Sequence, residues 1–147
     1  MKGRWDHPRS IVIGPRVRDG AKGVDVITPL VRTDGSTILV DRGFVSDEFA
    51  KPGYWKNQST DSGEVEITGL LRTSQRRNSF TPDNHPEKGE WYWVDVNALA
   101  EHAGGEAAGV QPVFIEAIFG SSLLACLALL YSDINPVSQM DTPEKQL

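Results

Sequence analysis

The pattern of apolar and polar positions is most telling between residues 24 and 45, which read VDVITPLVRTDGSTILVDRGFV. Two β-prone runs flank Asp34-Gly35, and Asp-Gly between apolar runs is a strong hairpin signal. A two-residue type I′ turn would set Thr33 opposite Ser36, Val31 opposite Ile38, Leu30 opposite Leu39 and Val26 opposite Gly43. One face would then carry Val24, Val26, Leu30, Leu39 and Val45. The other would carry Ile27, Val31, Ile38, Val40 and Phe44. A hairpin apolar on both faces must be covered on both, so it is expected at the centre of a sheet or barrel.

Around this hairpin the pattern predicts shorter elements. Residues 2–8 contain no apolar run and lead to a proline. Ile11-Val12-Ile13 predicts a short strand stopped by Gly14-Pro15, and the charged, glycine-punctuated residues 16–23 predict a surface loop. Pro29 removes a ladder donor and points to an edge or bulge position. Residues 46–63 have the composition of a long polar loop, turning at Pro52-Gly53 and pinned by Tyr54 and Trp55.

The second half of the chain follows the same logic. Residues 64–72, EVEITGLLR, alternate, with Val65, Ile67, Gly69 and Leu71 on one side and Glu64, Glu66, Thr68 and Arg72 on the other. Residues 80–89 read as loop, and Trp91-Tyr92-Trp93-Val94 as a β-prone aromatic run. Asp95 predicts the N-cap of a short helix bearing Val96, Leu99, Ala100 and Ala103, stopped by Gly104-Gly105. Residues 112–119 predict the last strand.

Composition narrows the class. A chain of 147 residues suits one domain with a real core. Its 14 glycines and 9 prolines, set among β-branched runs, favour a mainly β (α+β) fold. The net charge of -5 argues against a nucleic-acid partner, which needs a concentrated positive stripe. One cysteine, Cys126, excludes an intramolecular disulfide and a multi-cysteine metal site. No stretch reaches the roughly 18 consecutive apolar residues of a membrane-spanning helix. Residues 123–131 come nearest, and no signal peptide opens the chain, so as written it reads as soluble.

Candidate chemistry is sparse. His7, His85 and His102 are far apart and lack a second ligand at short spacing, so they read as surface or loop histidines, with His85 part of a turn. No Gly-x-Ser-x-Gly, Cys/His pair or phosphate-cradling loop occurs. Cys126 reads as a buried, inert thiol. Arg76-Arg77 suits an anion, though a solvated loop pair is the commoner outcome. Two features stand apart. Asp41-Arg42-Gly43 interrupts the second hairpin arm with a charged pair, and the simplest account is an ion pair capping the sheet face. Trp91-Tyr92-Trp93 could line a groove, against the simpler account of core and edge packing.

Three blocks together resemble the Surfeit locus protein 1 family: GPRVRDGAKGVDVITPL (residues 14–30), GSTILVDRGFV (35–45) and FTPDNHPEKGEWYWVDV (80–96). GRWDH at residues 3–7 resembles the family's strand before its Gly-Pro loop, and QPVFI at 111–115 also fits. The family-motif positions are Gly14, Pro15, Thr28, Pro29, Arg42, Gly43, Pro82, Asn84, Pro86, Trp91 and Asp95, with a structural or partner-binding role. No catalytic or metal-ligating residue is expected.

The resemblance implies a β-rich domain held between two membrane spans at the mitochondrial inner membrane and facing the intermembrane space, or the periplasm in bacteria. It implies a non-catalytic assembly factor of cytochrome c oxidase (respiratory complex IV), a chaperone for the largest subunit that works with other assembly factors. Haem a is the cofactor implied, by family alone. The two readings beside it are a soluble β-barrel carrying haem or another hydrophobe, and a non-functional truncated gene product. The match runs to about residue 119, whereas 120–147 read as a divergent, disordered tail. The fold expected is an antiparallel sheet or partly open barrel with one short helix. It is expected to be incomplete, lacking the family's first span with its following strand and the closing strand with its Asn-x-His-x-x-Tyr pattern. That loss is expected to leave residues 112–119 as an open apolar edge.

Overall fold

The computed structural model describes residues 1–48, 50 and 63–118. Most of the long loop expected after residue 46 and all of the expected tail lie outside them. Seven strands form one curled sheet: β1 (Lys2–Trp5), β2 (Ile11–Arg18), β3 (Ala21–Arg32), β4 (Thr37–Ser46), β5 (Val65–Glu66), β6 (Gly69–Arg72) and β7 (Val110–Ala117). A single α-helix, α1 (Val96–His102), is described. The strand order is β5-β1-β3-β4-β7-β6, with β2 also paired to β3. β1 and β2 therefore share one lane beside the long β3, separated by the turn His7–Arg9. The segment carrying β5 and β6 meets both ends of the sheet, bonding β1 through β5 and β7 through β6. The sheet thereby curls into a partly open barrel, mainly β as the pattern required.

The central hairpin forms, with a different turn. Gly35 N–H bonds Arg32 O at 3.0 Å, Arg32 N–H bonds Ser36 O at 2.8 Å, and Gly35 has φ of 87°. This is a three-residue loop ending in a left-handed glycine. Asp34 stabilises it, its carboxylate taking Ser36 N–H at 2.9 Å and Ser36 Oγ at 2.6 Å. The longer loop slips the register by one, so Leu30 faces Ile38 and Pro29 faces Leu39. A slip of one moves side chains to the opposite face. Leu39 accordingly joins Ile27 on the outside of the barrel, while Leu30 joins Ile38 and Val40 inside. The two-residue turn is found at the chain's other Asp-Gly pair. Asp19 and Gly20 have φ of 50° and 78° between paired Arg18 and Ala21. Residues 16–23 are thus a second hairpin, and the expected surface loop is corrected.

Several other elements differ from the sequence pattern. Gly14-Pro15 is a cis peptide at a register shift within β2, which runs on to Arg18. Residues 2–5 are a strand because β3 offers a partner lane, although their own pattern is weak. Pro29 is fully buried and far from any edge. Its carbonyl accepts Asp6 N–H at 2.9 Å, so the donor it lacks would have faced the break between β1 and β2. Residues 91–94 form no strand, and Trp91 instead drapes over the sheet. The alternation at residues 64–72 breaks at Ile67-Thr68, where the segment changes partner. β7 is no open edge, because it lies between β4, to which it is parallel, and the antiparallel β6.

Two cores lie on either side of this wall. Trp5, Leu30, Ile38, Val40, Ile67, Ile115 and Ala117 fill the barrel interior. On the outside, Ile11, Ile13, Ile27, Leu39 and Phe114 pack beneath Trp91, Val94 and the apolar face of α1. Each fully buried Leu or Ile contributes about 2 kcal/mol. The helix starts as expected: the Asp95 carboxylate accepts Ala98 N–H at 3.2 Å, and Val96, Leu99 and Ala100 are buried.

Candidate functional site

The charged interruption of β4 proves to be a β-bulge. The ladder steps from Ile27 paired with Asp41 to Asp25 paired with Phe44, so β3 advances two residues while β4 advances three. Arg42 and Gly43 together oppose Val26, and Gly43 takes φ of 105°, a conformation open to glycine. The extra residue restores the pairing that the three-residue loop displaced. It also aims Asp41 and Arg42 at opposite sides of one wall.

Arg42 continues the inward series Ile38, Val40 and lies at one end of the barrel interior. It is 7% exposed. Its guanidinium carbon sits 4.6 Å from the ring centroid of Trp5, the planar stacking that suits arginine. Arg42 NH1 lies 3.4 Å from His7 Nδ1. An arginine can only donate, so Nδ1 accepts and the ring proton belongs on Nε2. His7 is buried at 4% exposed, which corrects its reading as a surface residue. Burial first, and the Arg42 charge second, lower its pKa to about 4, so the ring is neutral near pH 7. Beside it, Ser10 and Thr28 exchange a hydroxyl hydrogen bond of 2.9 Å within the buried region.

Asp41 faces outward, flanked by Asp25 on β3 and Glu116 on β7. These residues, with Arg18, Arg72 and Gln75, line a slot of about 290 Å³. Two arginines offset part of the negative charge: Arg16 Nε bonds Asp25 at 3.0 Å and Arg72 Nε bonds Glu116 at 2.6 Å. Asp41 accepts Gly43 N–H at 2.8 Å. Burial is the largest influence on Asp41, and the Asp25 and Glu116 charges add to it. Together they push its pKa up to about 6 against the opposing Gly43 bond and Arg16 charge. Asp41 is thus a proton-binding group near neutrality, a property no sequence pattern announced. The nearest signal was three carboxylates at alternate positions of three strands, readable only once register is known.

The motif positions divide into two groups. Thr28, Pro29, Arg42 and Gly43 gather around the bulge and the break between β1 and β2. Asn84, Pro86, Trp91 and Asp95 belong to the 82–95 connection on the outer face. There Asn84 Oδ1 accepts Tyr92 N–H at 2.7 Å and Trp93 N–H at 3.3 Å, and its amide donates to Trp93 O at 3.2 Å. Gly14 joins the groups' scaffolds, donating N–H to Trp91 O at 2.9 Å. Pro15 lies at the β2 irregularity, and Pro82 is exposed. Within the aromatic run, Trp91 is buried against His102, ring centroids 5.5 Å apart, and Arg77 stacks on Trp93. Arg77 also pairs with Asp83. A wider groove of about 570 Å³ lies between the hairpin tip, α1 and the start of β7, and no motif position lines it. Among the described residues, no cluster of three metal-ligating side chains occurs, and no helix is long and apolar enough to cross a membrane.

Fold and site define a small, curled β domain whose wall carries a buried arginine and a protonatable aspartate on opposite faces of one bulge. Comparison with known proteins gives that architecture its family. The family model described as the SURF1 family matches residues 1–145. Surfeit locus protein 1 of Rattus norvegicus is 34% identical over 137 residues, covering 83% of this chain and 43% of its own length. The Homo sapiens protein of the same name is 33% identical over 139 residues, covering 84% and 44%. A SURF1-like protein of Monosiga brevicollis is 36% identical over 128 residues, covering 80% and 47%. The chain belongs to the SURF1 family, and it spans less than half the length of these relatives.

Proposed function

We propose that this domain is a non-catalytic assembly factor of cytochrome c oxidase, working by binding at the mitochondrial inner membrane with its barrel facing the intermembrane space. Its partners are the largest oxidase subunit and other assembly factors, and its contribution is to help that subunit receive haem a. Family membership over residues 1–145 is the observation that carries this reading. The geometry supports it. The motif residues around the bulge and the Asn84 connection hold a scaffold together, with Arg42 stacked on Trp5 and Asn84 knitted to Tyr92 and Trp93. Their placement suits a rigid binding surface. A barrel carrying a hydrophobe inside is the weaker reading, because seven of the chain's own apolar side chains pack against one another in the interior.

The test is complementation. Cells lacking their own family member receive this chain fused between two membrane spans, and assembled oxidase is read on native gels alongside the haem a absorbance of membranes. Restored oxidase with restored haem a absorbance is expected. A stably expressed, correctly located fusion that leaves oxidase at the deletion level overturns the reading. Oxidase restored without any effect on haem a loading would remove only the haem step.

A further inference from the structure

The groove between the hairpin tip, α1 and the start of β7 joins an apolar floor to an acidic rim. Around its 570 Å³ or so, Ala100, Val110 and Pro112 supply apolar surface, and Asn97, Glu101 and Glu106 supply polar groups. Ala100 and Val110 are buried, whereas the three polar side chains reach water. The lining runs from residue 35 to residue 112, so every wall belongs to the interior of the chain.

The rim is electrostatically unfavourable on its own. Glu101 stands in the last turn of α1, where the carbonyl end of a helix disfavours a carboxylate. Its side chain also lies against the backbone just before the turn Glu106–Ala108: a Cβ on Gly105 would meet Glu101 Oε2 at 3.0 Å. Two like charges therefore share one side of the groove, and among the described residues neither carboxylate has a hydrogen-bond or ion-pair partner. The basic side chains nearby are engaged elsewhere. Arg9 donates to Ala103 O at 3.0 Å and pairs with Asp6, Arg32 bonds Ser36 and Asp34, and the His102 ring packs against Trp91.

We propose that this groove is a docking site for an arginine-bearing apolar segment of a partner protein. The guanidinium lies against Glu101 and Glu106, with the Asn97 amide oxygen as a further acceptor, and the apolar part of the segment covers Ala100, Val110 and Pro112. Charge complementarity selects this occupant, because a cation relieves both the repulsion between the carboxylates and the strain of Glu101 at the helix end. Arginine suits the rim better than lysine. Its planar fork of donors meets acceptors on two elements at once, and its stem is apolar enough to lie along the floor. A second copy fits less well, because two chains of net charge -5 repel each other. The inference stands on the groove and its charges alone, independent of any role in oxidase assembly.

The probe is an acetylated five-residue peptide amide with arginine at its centre, leucine on either side and serine at the ends. It is added to the full 147-residue chain, and amide shifts are followed by NMR. Saturable shifts at Asn97, Glu101, Glu106 and Val110, with those of β1 and β5 unmoved, are the expected result. The citrulline counterpart keeps the shape without the charge and is expected to bind about tenfold more weakly. Glu101→Gln combined with Glu106→Gln is expected to weaken the arginine peptide about tenfold and to leave the citrulline peptide unchanged. Both side chains are exposed, so the melting temperature is expected to hold. The proposal is overturned if no saturable shift occurs, if the shifts fall outside the groove, or if citrulline binds as tightly as arginine. It is equally overturned if the folded double variant binds the arginine peptide as tightly as the parent chain, or if acetylarginine amide alone matches the peptide. Nuclear Overhauser contacts showing that Ala100 and Val110 are already covered in the free chain, from within or by a second copy, also overturn it.

Discussion

The Arg42 guanidinium lies 4.6 Å from the ring centroid of Trp5, with both residues more than nine-tenths buried. A charge held there is tolerated because stacking on the indole and the contact with His7 replace part of its hydration. Arg42→Ala removes the stack and leaves His7 Nδ1 without its donor. It is expected to cost about 3 kcal/mol. Arg42→Met, which keeps the volume and leaves no charge to bury, is expected to cost less than half as much. Urea unfolding followed by tryptophan fluorescence distinguishes the two, and equal losses would show that the guanidinium contacts, rather than the packing that methionine retains, carry the contribution.

The bulge couples two groups of opposite pH behaviour. His7 has a folded pKa of about 4 against an ordinary 6.5, so as pH falls from 6.5 towards 4 the unfolded chain gains a proton first and stability is lost. Asp41 has a folded pKa of about 6 against 3.8, so over nearly the same window the folded chain gains a proton first and stability is gained. The contributions oppose each other. Relative to the parent chain, Asp41→Asn is expected to lose about 2 kcal/mol of stability more steeply between pH 6 and 4. His7→Gln is expected to show the reverse slope. Chemical unfolding at four pH values across this window reads both, and parallel curves for all three proteins would refute the assignment.

Gly43 sits at φ of 105° within the bulge. An L side chain there is strained, and Gly43→Ala is expected to cost about 1 to 2 kcal/mol and to weaken protection of the Asp25 and Phe44 amides. Exchange measurements on those two amides provide the check.

Asn84→Ala deletes three bonds to the backbone of Tyr92 and Trp93. An expected loss of about 2 kcal/mol accompanies release of this connection. Because Trp91 is packed immediately before it, its fluorescence should shift to longer wavelength in the variant while α1 keeps its far-UV signal.

How far the sequence reaches is clear from particular residues. The Asp95 cap and the helix behind it were legible because capping is local, needing only a carboxylate three residues ahead of a free N–H. The hairpin was legible as an element, but its register was not. Both Asp-Gly pairs look alike in sequence, and Asp34 bonding to Ser36 favours the longer loop. From that single residue followed the separation of Leu30 and Leu39 onto opposite faces. The charged triplet 41–43 was noticed as an interruption, yet its meaning as a bulge depends on the partner strand. Burial of His7 was illegible for the same reason: nothing in Asp6-His7-Pro8 indicates that a long β3 will lie behind it. The resemblance named the motif positions. It could not separate those at the bulge from those on the 82–95 connection.

β7 is the last strand of the described chain and yet an interior one, with β4 on one side and β6 on the other. During synthesis every other described strand exists before it. Until Val110 emerges, β4 therefore presents a long unpaired side, and α1 lacks the strand it meets most extensively. Folding of this domain is in effect the insertion of a keystone, and the interval before that insertion is when the nascent chain is most exposed to mispairing. A ribosome stalled short of residue 110 should hold a sticky, open sheet, whereas one stalled well beyond residue 118 should hold β4 paired with β7.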